Sequence, residues 1–426
     1  MADVPARTQA TERDAAAREA EEVTAWAASG AMALTGRPHA PPLGPPAGLV
    51  SELRHLEARL THAAHALGGQ VTVDSLGLLG ERAALTGLRR RGTTSCGGST
   101  RLLRAEDGWL AVTLARPDDV ELVPAWLECP APIDDAWRVV TDAIRTSPAG
   151  EMADRGERLG LPVAVLPEPS PVARGPARGA ELPVRALAIA GPVPPRPTAE
   201  LVVVDLSSLW AGPLCGSLLA AAGAQVVKVE SVSRPDGARA GAPGFFDLLN
   251  AGKRSVALDL ASADGVQELA RLLAHADIVI EGSRPRALEQ LGIHAEHLLR
   301  AGRVRVWTSI TGHGRTGAAR NRVGFGDDTA AAGGLVSWDR DGPCFCADAI
   351  ADPVTGLVAA LATLERLRHG GRWLLDVPMA GVAAHLAGPT LATGPGLHVA
   401  APRARTPTGP APTLGEHGEL LDRRSG

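Results

Sequence analysis

From residue 198 onward the chain alternates short apolar runs with stretches of helical period. Leu201 to Leu206 shows no polar alternation, as a strand buried on both faces should. Leu214 to Ala222 is a helix of small residues that can lie close to a sheet, and Gly223 suits its C-cap. Gln225 to Val229 predicts the next strand, and Lys253–Leu260, Asp277–Ile280, Arg303–Ile310 and Arg372–Val377 predict four more. Between them fall a helix over Ser262–Ala274, capped by Ser262, and one that Asp352-Pro353 opens and that runs to about Arg368. Strand and helix alternating at this spacing predict an α/β fold with a doubly wound parallel sheet.

The first part of the chain patterns differently. Residues 11 to 35 read as helix, and the Pro/Gly block from Arg37 to Gly48 reads as loop. Leu49, Leu53, Leu56 and Leu60 set a helical spacing, with His55, His62 and His65 on a solvated face. Arg89 to Arg101 is a basic, glycine-rich loop, chemically suited to a phosphate and equally to an ordinary connection. A hairpin follows: Thr100–Arg104, a turn at Glu106-Asp107-Gly108, then Trp109–Leu114. Residues 117 to 160 read as helix with breaks, and Leu161–Leu166 as a short strand. The expected organisation is a small α+β domain over 1–170, a Pro-rich linker over 171–198, the α/β domain over 199–400 and a Pro-rich tail over 401–426.

Composition narrows the function classes. With 45% apolar and 21% charged residues the chain can build a large core, and a net charge of −4 favours neither nucleic acid nor an anionic membrane. There is no Tyr to act as a phenolic acid. Five cysteines, an odd number, argue against a secreted disulfide framework, and Cys344-Phe345-Cys346 lacks the second cluster a zinc site needs, so no metal is expected. The N-terminus has no apolar signal region and no run reaches a membrane span, so a cytoplasmic protein is expected. Ala211-Gly212-Pro213 after the first α/β strand is not a dinucleotide fingerprint, and no Walker loop, G-x-S-x-G or H-E-x-x-H occurs.

Six segments taken in order resemble the family III CoA-transferases, the group of formyl-CoA transferase, the carnitine CoA-transferase and the related α-methylacyl-CoA racemases. They are VVVDLSSLWAGP, LLAAAGAQVVKVE, NAGKRSVALD, ADIVIEGSRPRALEQLGI, VWTSITGHGRTG and IADPVTGLVAALATLERLRHGGR, covering roughly residues 200 to 385. The resemblance implies an open α/β sheet that binds coenzyme A, as the substrate thioester, at its strand ends, in a homodimer with interlocked chains. It also implies a carboxylate nucleophile at Asp352, working through an acyl-aspartyl anhydride and an aspartyl-CoA thioester. A covalent route of this kind splits one hard exchange into two easier ones. Asp348 is a competing carboxylate, and Gly333-Gly334 offers N–H groups for an oxyanion. Carried over in the same way, the CoA contacts fall on Trp210, Ala211, Lys228, Lys253, Arg254, Leu258, Ser283, Arg284 and Phe325.

This sequence departs from the family's pattern at three points. Trp210 stands where several transferases have Gln. Phe325 stands where the racemases place a catalytic His, which leaves a racemase short of one base. The residues resembling the family's small domain come first in the chain. Trp26–Gly36 also resembles a second copy of Ala330–Trp338, and aligning Gly48-Leu49-Val50 with Gly356-Leu357-Val358 sets Gly44 opposite Asp352. The functional expectation is transfer of CoA between an acyl-CoA and a carboxylic acid. The alternatives are an acyl-CoA racemase or isomerase on the same fold, or a non-catalytic CoA-ester binder.

Overall fold

The computed structural model describes residues 4–169 and 181–422. The first part holds three helices, α1 (Val4–Ser29), α2 (Leu49–Ala66) and α3 (Glu81–Thr86). After them comes an antiparallel sheet, β1 (Thr100–Arg104), β2 (Trp109–Thr113) and β3 (Val163–Leu166), in that order. The hairpin pairs Thr100 with Thr113 and Arg104 with Trp109, and the Ala105 N–H donates to the Gly108 carbonyl at 3.0 Å, so its turn centres on Glu106-Asp107 rather than on Asp107-Gly108. Short helices α4 (Pro117–Glu121), α5 (Val123–Leu127), α6 (Ala136–Arg145) and α7 (Ala149–Leu159) cover this sheet, burying Leu110, Val112, Trp126 and Ile144 in a core of their own.

The second part begins with β4 (Arg185–Ala190), β5 (Val202–Asp205), α8 (Ala211–Ala221), β6 (Gln225–Ser231), α9 (Pro243–Asn250) and β7 (Arg254–Leu258). It continues with α10 (Ala263–His275), β8 (Ile278–Glu281), α11 (Pro285–Gln290), α12 (Ala295–Ala301), β9 (Val306–Thr311) and α13 (Gly326–Gly333). The short hairpin β10 (Ser337–Asp339) and β11 (Gly342–Cys344) leads to α14 (Ala351–His369), β12 (Arg372–Pro378), α15 (Met379–Leu386) and, in the tail, α16 (Glu419–Asp422).

Seven of these strands form one sheet in the order β4-β12-β9-β8-β5-β6-β7. Every pairing in it is parallel except β4 on β12. Consecutive residues feed opposite faces: Val203 and Ile278 join one core, Val204 and Val279 the other. Helices therefore cover both faces, which explains why Val202–Asp205 carries no polar alternation. The small residues of α8 are needed for close approach. A Cβ on Gly356 of α14 would sit 2.7 Å from the carbonyl of Ala211, so only glycine lets α14 lie this near α8.

The Pro-rich stretch read as linker is not all linker. Residues 170–180 lie outside the described residues, but Arg185–Ala190 forms β4 and closes the sheet antiparallel to β12. Sequence periodicity missed it because the strand is short and flanked by prolines. An edge strand tolerates that, having only one neighbour to bond. The tail is also tied down. The N–H of His417 donates to the Ser255 carbonyl at 2.9 Å, and Arg405 pairs with Glu81 at 3.0 Å.

Candidate functional site

In the large sheet β5 and β8 are neighbours, yet the chain leaves them in opposite directions. Such a switch point opens a crevice beyond the strands' C-terminal ends. Here the loops after β5 and β8 touch: a Cβ on Gly282 would lie 3.2 Å from the Ser207 Cβ. Leu209 holds a left-handed φ of 71° at this point, an unusual conformation for a leucine. It is fixed by Asp236, which accepts its N–H at 2.9 Å.

Two predicted contact residues support this loop from beneath. Lys228 is fully buried, pairs with Asp236 at 2.8 Å and donates to the Ser207 carbonyl at 2.9 Å. Lys253 is buried between Asp205 at 2.9 Å, the Pro213 carbonyl at 2.8 Å and Asn250 Oδ1 at 3.0 Å. Burial opposes Lys253's charge and lowers its pKa, while Asp205, in turn, is held below the usual carboxylate range, by the two lysines and against its own burial. Both ammonium groups thus have their donors engaged inside the protein. Leu258 is likewise a core residue under the sheet, and Arg254 is half-buried on the edge strand β7.

Other cations do stand at the rim. Arg284 follows β8; burial, then Arg286, Arg116 and Arg234, lower its pKa, so four arginines converge here. Arg234 and Arg286 are exposed, and among the described residues Arg234, Arg284 and Arg286 form no ion pair. Arg116 comes from the small sheet; its Nε donates to Asp119 at 3.0 Å and its guanidinium lies 5.8 Å from the Phe325 ring. Ser283 lies between, with its hydroxyl 3.5 Å from Glu281.

Asp352 lies deeper, in the first turn of α14. The helix begins at Ala351, two residues earlier than a cap at Asp352 would give, and the Asp352 N–H donates back to the Ala349 carbonyl at 2.8 Å. Its carboxylate is not spent on capping its own helix. It lies against Gly326, at the start of α13, where any added Cβ would overlap Asp352 Oδ2 and sit 2.6 Å from the Ala349 carbonyl. No side chain among the described residues hydrogen-bonds it. Burial pushes its pKa up to about 7; Arg82 and the Gly326 amide pull it down, while Asp327 and Asp348 push it up. The N-terminal end of α13 adds a partial positive charge where the anion sits.

Its neighbours form a carboxylate group. Burial, with Asp348 next, raises Asp327 to about 6. Burial raises Asp328 to about 8 although Phe325 N–H and the Thr113 hydroxyl donate to it. Asp348 is clamped by Arg82, whose Nε donates at 2.9 Å. Arg82 also lies 5.0 Å over the Trp210 ring, which meets Phe245 edge-on at 4.9 Å. Trp210 and Ala211 are buried, so Trp210 walls the site beside Asp352's helix.

Residues 199–417 match CoA-transferase family III, just over half of the chain. The chain belongs to CoA-transferase family III. It is 33% identical over 200 residues to the succinyl-CoA–D-citramalate CoA-transferase of Chloroflexus aurantiacus, covering 43% of this chain and 49% of that protein. It is 30% identical over 184 residues to the formyl-CoA:oxalate CoA-transferase of Escherichia coli, covering 41% of this chain and 44% of that one. A solved CAIB/BAIF family protein from Brucella suis aligns at 30% identity and a TM-score of 0.41, covering 45% of this chain and 55% of that one. The chain spans about half the length of the curated relatives it matches.

One reading of this family III chain changes with the structure. Gly333-Gly334 closes the far end of α13, and eight helical residues put it about 12 Å from the end that meets Asp352. The Gly334 N–H is already bonded to the Ala331 carbonyl at 2.9 Å, so an oxyanion at Asp352 must look to the Gly326 end instead. A cavity of about 370 Å³ lies at that far end, lined by Pro167, Gly334, Trp338 and Thr390, away from Asp352. Gly44, the counterpart of Asp352 in the repeat-like segment, is packed against the Leu391 carbonyl and its own carbonyl accepts from Ser337 at 3.1 Å. No side chain fits there, so this copy holds no second carboxylate. Sequence reasoning passed over Arg82, Arg116, Arg234 and Asp327. Only the doubled Asp327-Asp328 after Gly-Phe-Gly carried a signal, an acidic pair inside an otherwise small-residue segment.

Proposed function

We propose that this chain moves CoA between an acyl-CoA and a carboxylic acid, with Asp352 as the nucleophile. The observation that carries the reading is the state of Asp352: desolvated, free of capping duty and of side-chain hydrogen bonds, and set against a helix N-terminus in a family III chain. The Asp352 oxygen attacks the thioester carbonyl, the C–S bond breaks, and CoA leaves as thiolate. The resulting acyl-aspartyl anhydride is attacked at the Asp352 carbonyl by that thiolate, which releases the donor acid and leaves an aspartyl-CoA thioester. An acceptor carboxylate attacks this thioester, forming a new anhydride and the thiolate. The thiolate then takes the acceptor's acyl carbon and frees Asp352. Every step is an acyl exchange with no net change in oxidation state.

Arg284, Arg286, Arg234 and Arg116 converge at the crevice mouth, where the phosphates of a CoA thioester would find charged, forked donors. The named relatives transfer CoA to or from small acids such as oxalate and citramalate, and a small carboxylic acid is the acceptor class proposed here. The test is to incubate the protein with succinyl-CoA, quench, digest and analyse by mass spectrometry. A succinyl or CoA adduct is expected on the peptide holding Asp352. An unlabelled peptide together with full transfer activity in Asp352→Asn would overturn the assignment.

A further inference from the structure

The cation next to Asp352 comes from the opposite half of the chain. Arg82 lies on α3, and three contacts define its place. Its Nε donates to Asp348 Oδ2 at 2.9 Å and its Nη2 to Asp348 Oδ1, a two-pronged grip. Its guanidinium carbon stacks 5.0 Å from the centre of the Trp210 ring. Its charge acts on Asp327 and Asp352 as well as Asp348.

The gripped residue sits on a strained segment. Ala347 and Ala349, on either side of Asp348, hold left-handed φ values of 55° and 44°. Non-glycine residues rarely hold that region and persist there only where the surroundings impose it. Ala349 in turn accepts the Asp352 N–H at 2.8 Å and packs on Gly326. A chain of direct contacts therefore runs from Arg82 through Asp348 and Ala349 to the turn that presents Asp352.

The charges facing Asp352 are Arg82 from α3, Asp327 from α13 and Asp348 from the loop before α14, together with the Gly326 amide. Asp328 is turned away toward Thr113. Set against three carboxylates, a single guanidinium is the counter-charge, and Asp348 takes both of its prongs.

We propose that Arg82 is a positioning residue of the Asp352 site, which clamps the strained Asp348 loop, roofs Trp210 and supplies the positive charge that the carboxylates around Asp352 otherwise lack. The part bearing on catalysis rests on the reading of Asp352 as nucleophile. The part bearing on charge does not.

The test separates the two. The full chain is labelled with ¹³C at aspartate side-chain carboxyls, and the Asp352 signal is assigned by its loss in Asp352→Asn. Its titration midpoint is then followed by NMR in the parent, Arg82→Met, Arg82→Lys and Asp348→Asn. Removing the cation should move the midpoint up by about one pH unit or more, as expected for a carboxylate that loses an arginine neighbour. Lysine should restore most of that shift. Asp348→Asn should move the midpoint down, since it removes a repelling anion and frees Arg82. The acid limb of the transfer rate should follow the same order. A midpoint that stays put in Arg82→Met or in Asp348→Asn, or that moves the same way in both, overturns the proposal. Should Arg82→Met fail to fold, Asp348→Asn still decides it, because a midpoint that does not fall there is enough to overturn it. Midpoints that shift as stated in a chain with no transferase activity leave Arg82's role intact and remove the nucleophile reading instead.

Discussion

Asp352→Asn should make the protein more stable above neutral pH, even as it removes the proposed nucleophile. Burial raises the Asp352 carboxyl from 3.8 to about 7, so the fold disfavours its ionised form. The sign follows from that direction. A carboxyl whose folded pKa lies above its unfolded value contributes fully below about pH 4, and the contribution is lost as pH rises through about 7. A difference of about 3 pH units corresponds to roughly 4 kcal/mol at alkaline pH. Asp352 keeps some accessible surface and is repelled by Asp327, so about half of this, ~2 kcal/mol, is expected. Asn has nearly the same shape and still presents an oxygen to the Gly326 amide, but it has no charge to desolvate. For a chain of 426 residues the unfolding entropy is about 0.9 kcal/mol/K, so ~2 kcal/mol is about 2 °C. The assay is scanning calorimetry of parent and variant at about pH 5 and about pH 8.5, either side of the titration. Part of the cost is already present at about pH 5, because the unfolded carboxyl is ionised there, so the Tm advantage of the variant should grow by about 1 °C between the two. A difference that is flat with pH, or that favours the parent at alkaline pH, would refute the burial cost assigned to this carboxyl. Stability given up at a reactive group is the usual companion of function.

Two further predictions concern the charges around the crevice. Lys253→Met should cost about 3–5 kcal/mol in chemical unfolding, because it strands Asp205 in the core, and adding Asp205→Asn should recover part of that; a single variant as stable as the parent would refute the pair's importance. Arg284→Glu should weaken CoA binding by about tenfold at low salt in calorimetric titration, with the gap narrowing at high salt. Equal affinities at low salt would remove the rim arginines from the ligand site.

Much of the fold was legible because the parallel sheet announces itself. Both-face burial makes β5 and β8 short apolar runs, and the small residues of α8 mark a helix that must lie close. The hairpin β1–β2 was legible from two strand-like runs flanking a polar turn, although the turn centres one residue earlier than the Asp-Gly pair. β4 was not, because its pairing depends on β12, far along the chain, and prolines surround it. The site was half legible. Asp352 could be placed through resemblance, yet a helix-start Asp-Pro is also what capping selects. Only the packing against Gly326 shows that the carboxylate is not used that way. Lys228 and Lys253 illustrate the opposite limit: a lysine in a sequence has no burial, and the structure finds both ammonium groups matched by Asp236 and Asp205 under the loop. Arg82 carried no local sign, since its carboxylate partner Asp348 lies 266 residues further along the chain.

The tail's contact with α3 bears on the order in which the molecule can be made. Glu81, the neighbour of Arg82, is buried and holds Arg405 at 3.0 Å, while Arg82 itself holds Asp348. Early, middle and late segments thus meet within two consecutive residues. During synthesis the hairpin β1–β2 and its small core can fold as soon as they emerge, since their contacts are local. The surroundings of Asp352 cannot, for α3 waits unpaired until Asp348 and then Arg405 have left the ribosome. The carboxylate site is therefore among the last features to form, and until then the nascent chain offers Asp352 no ordered surroundings.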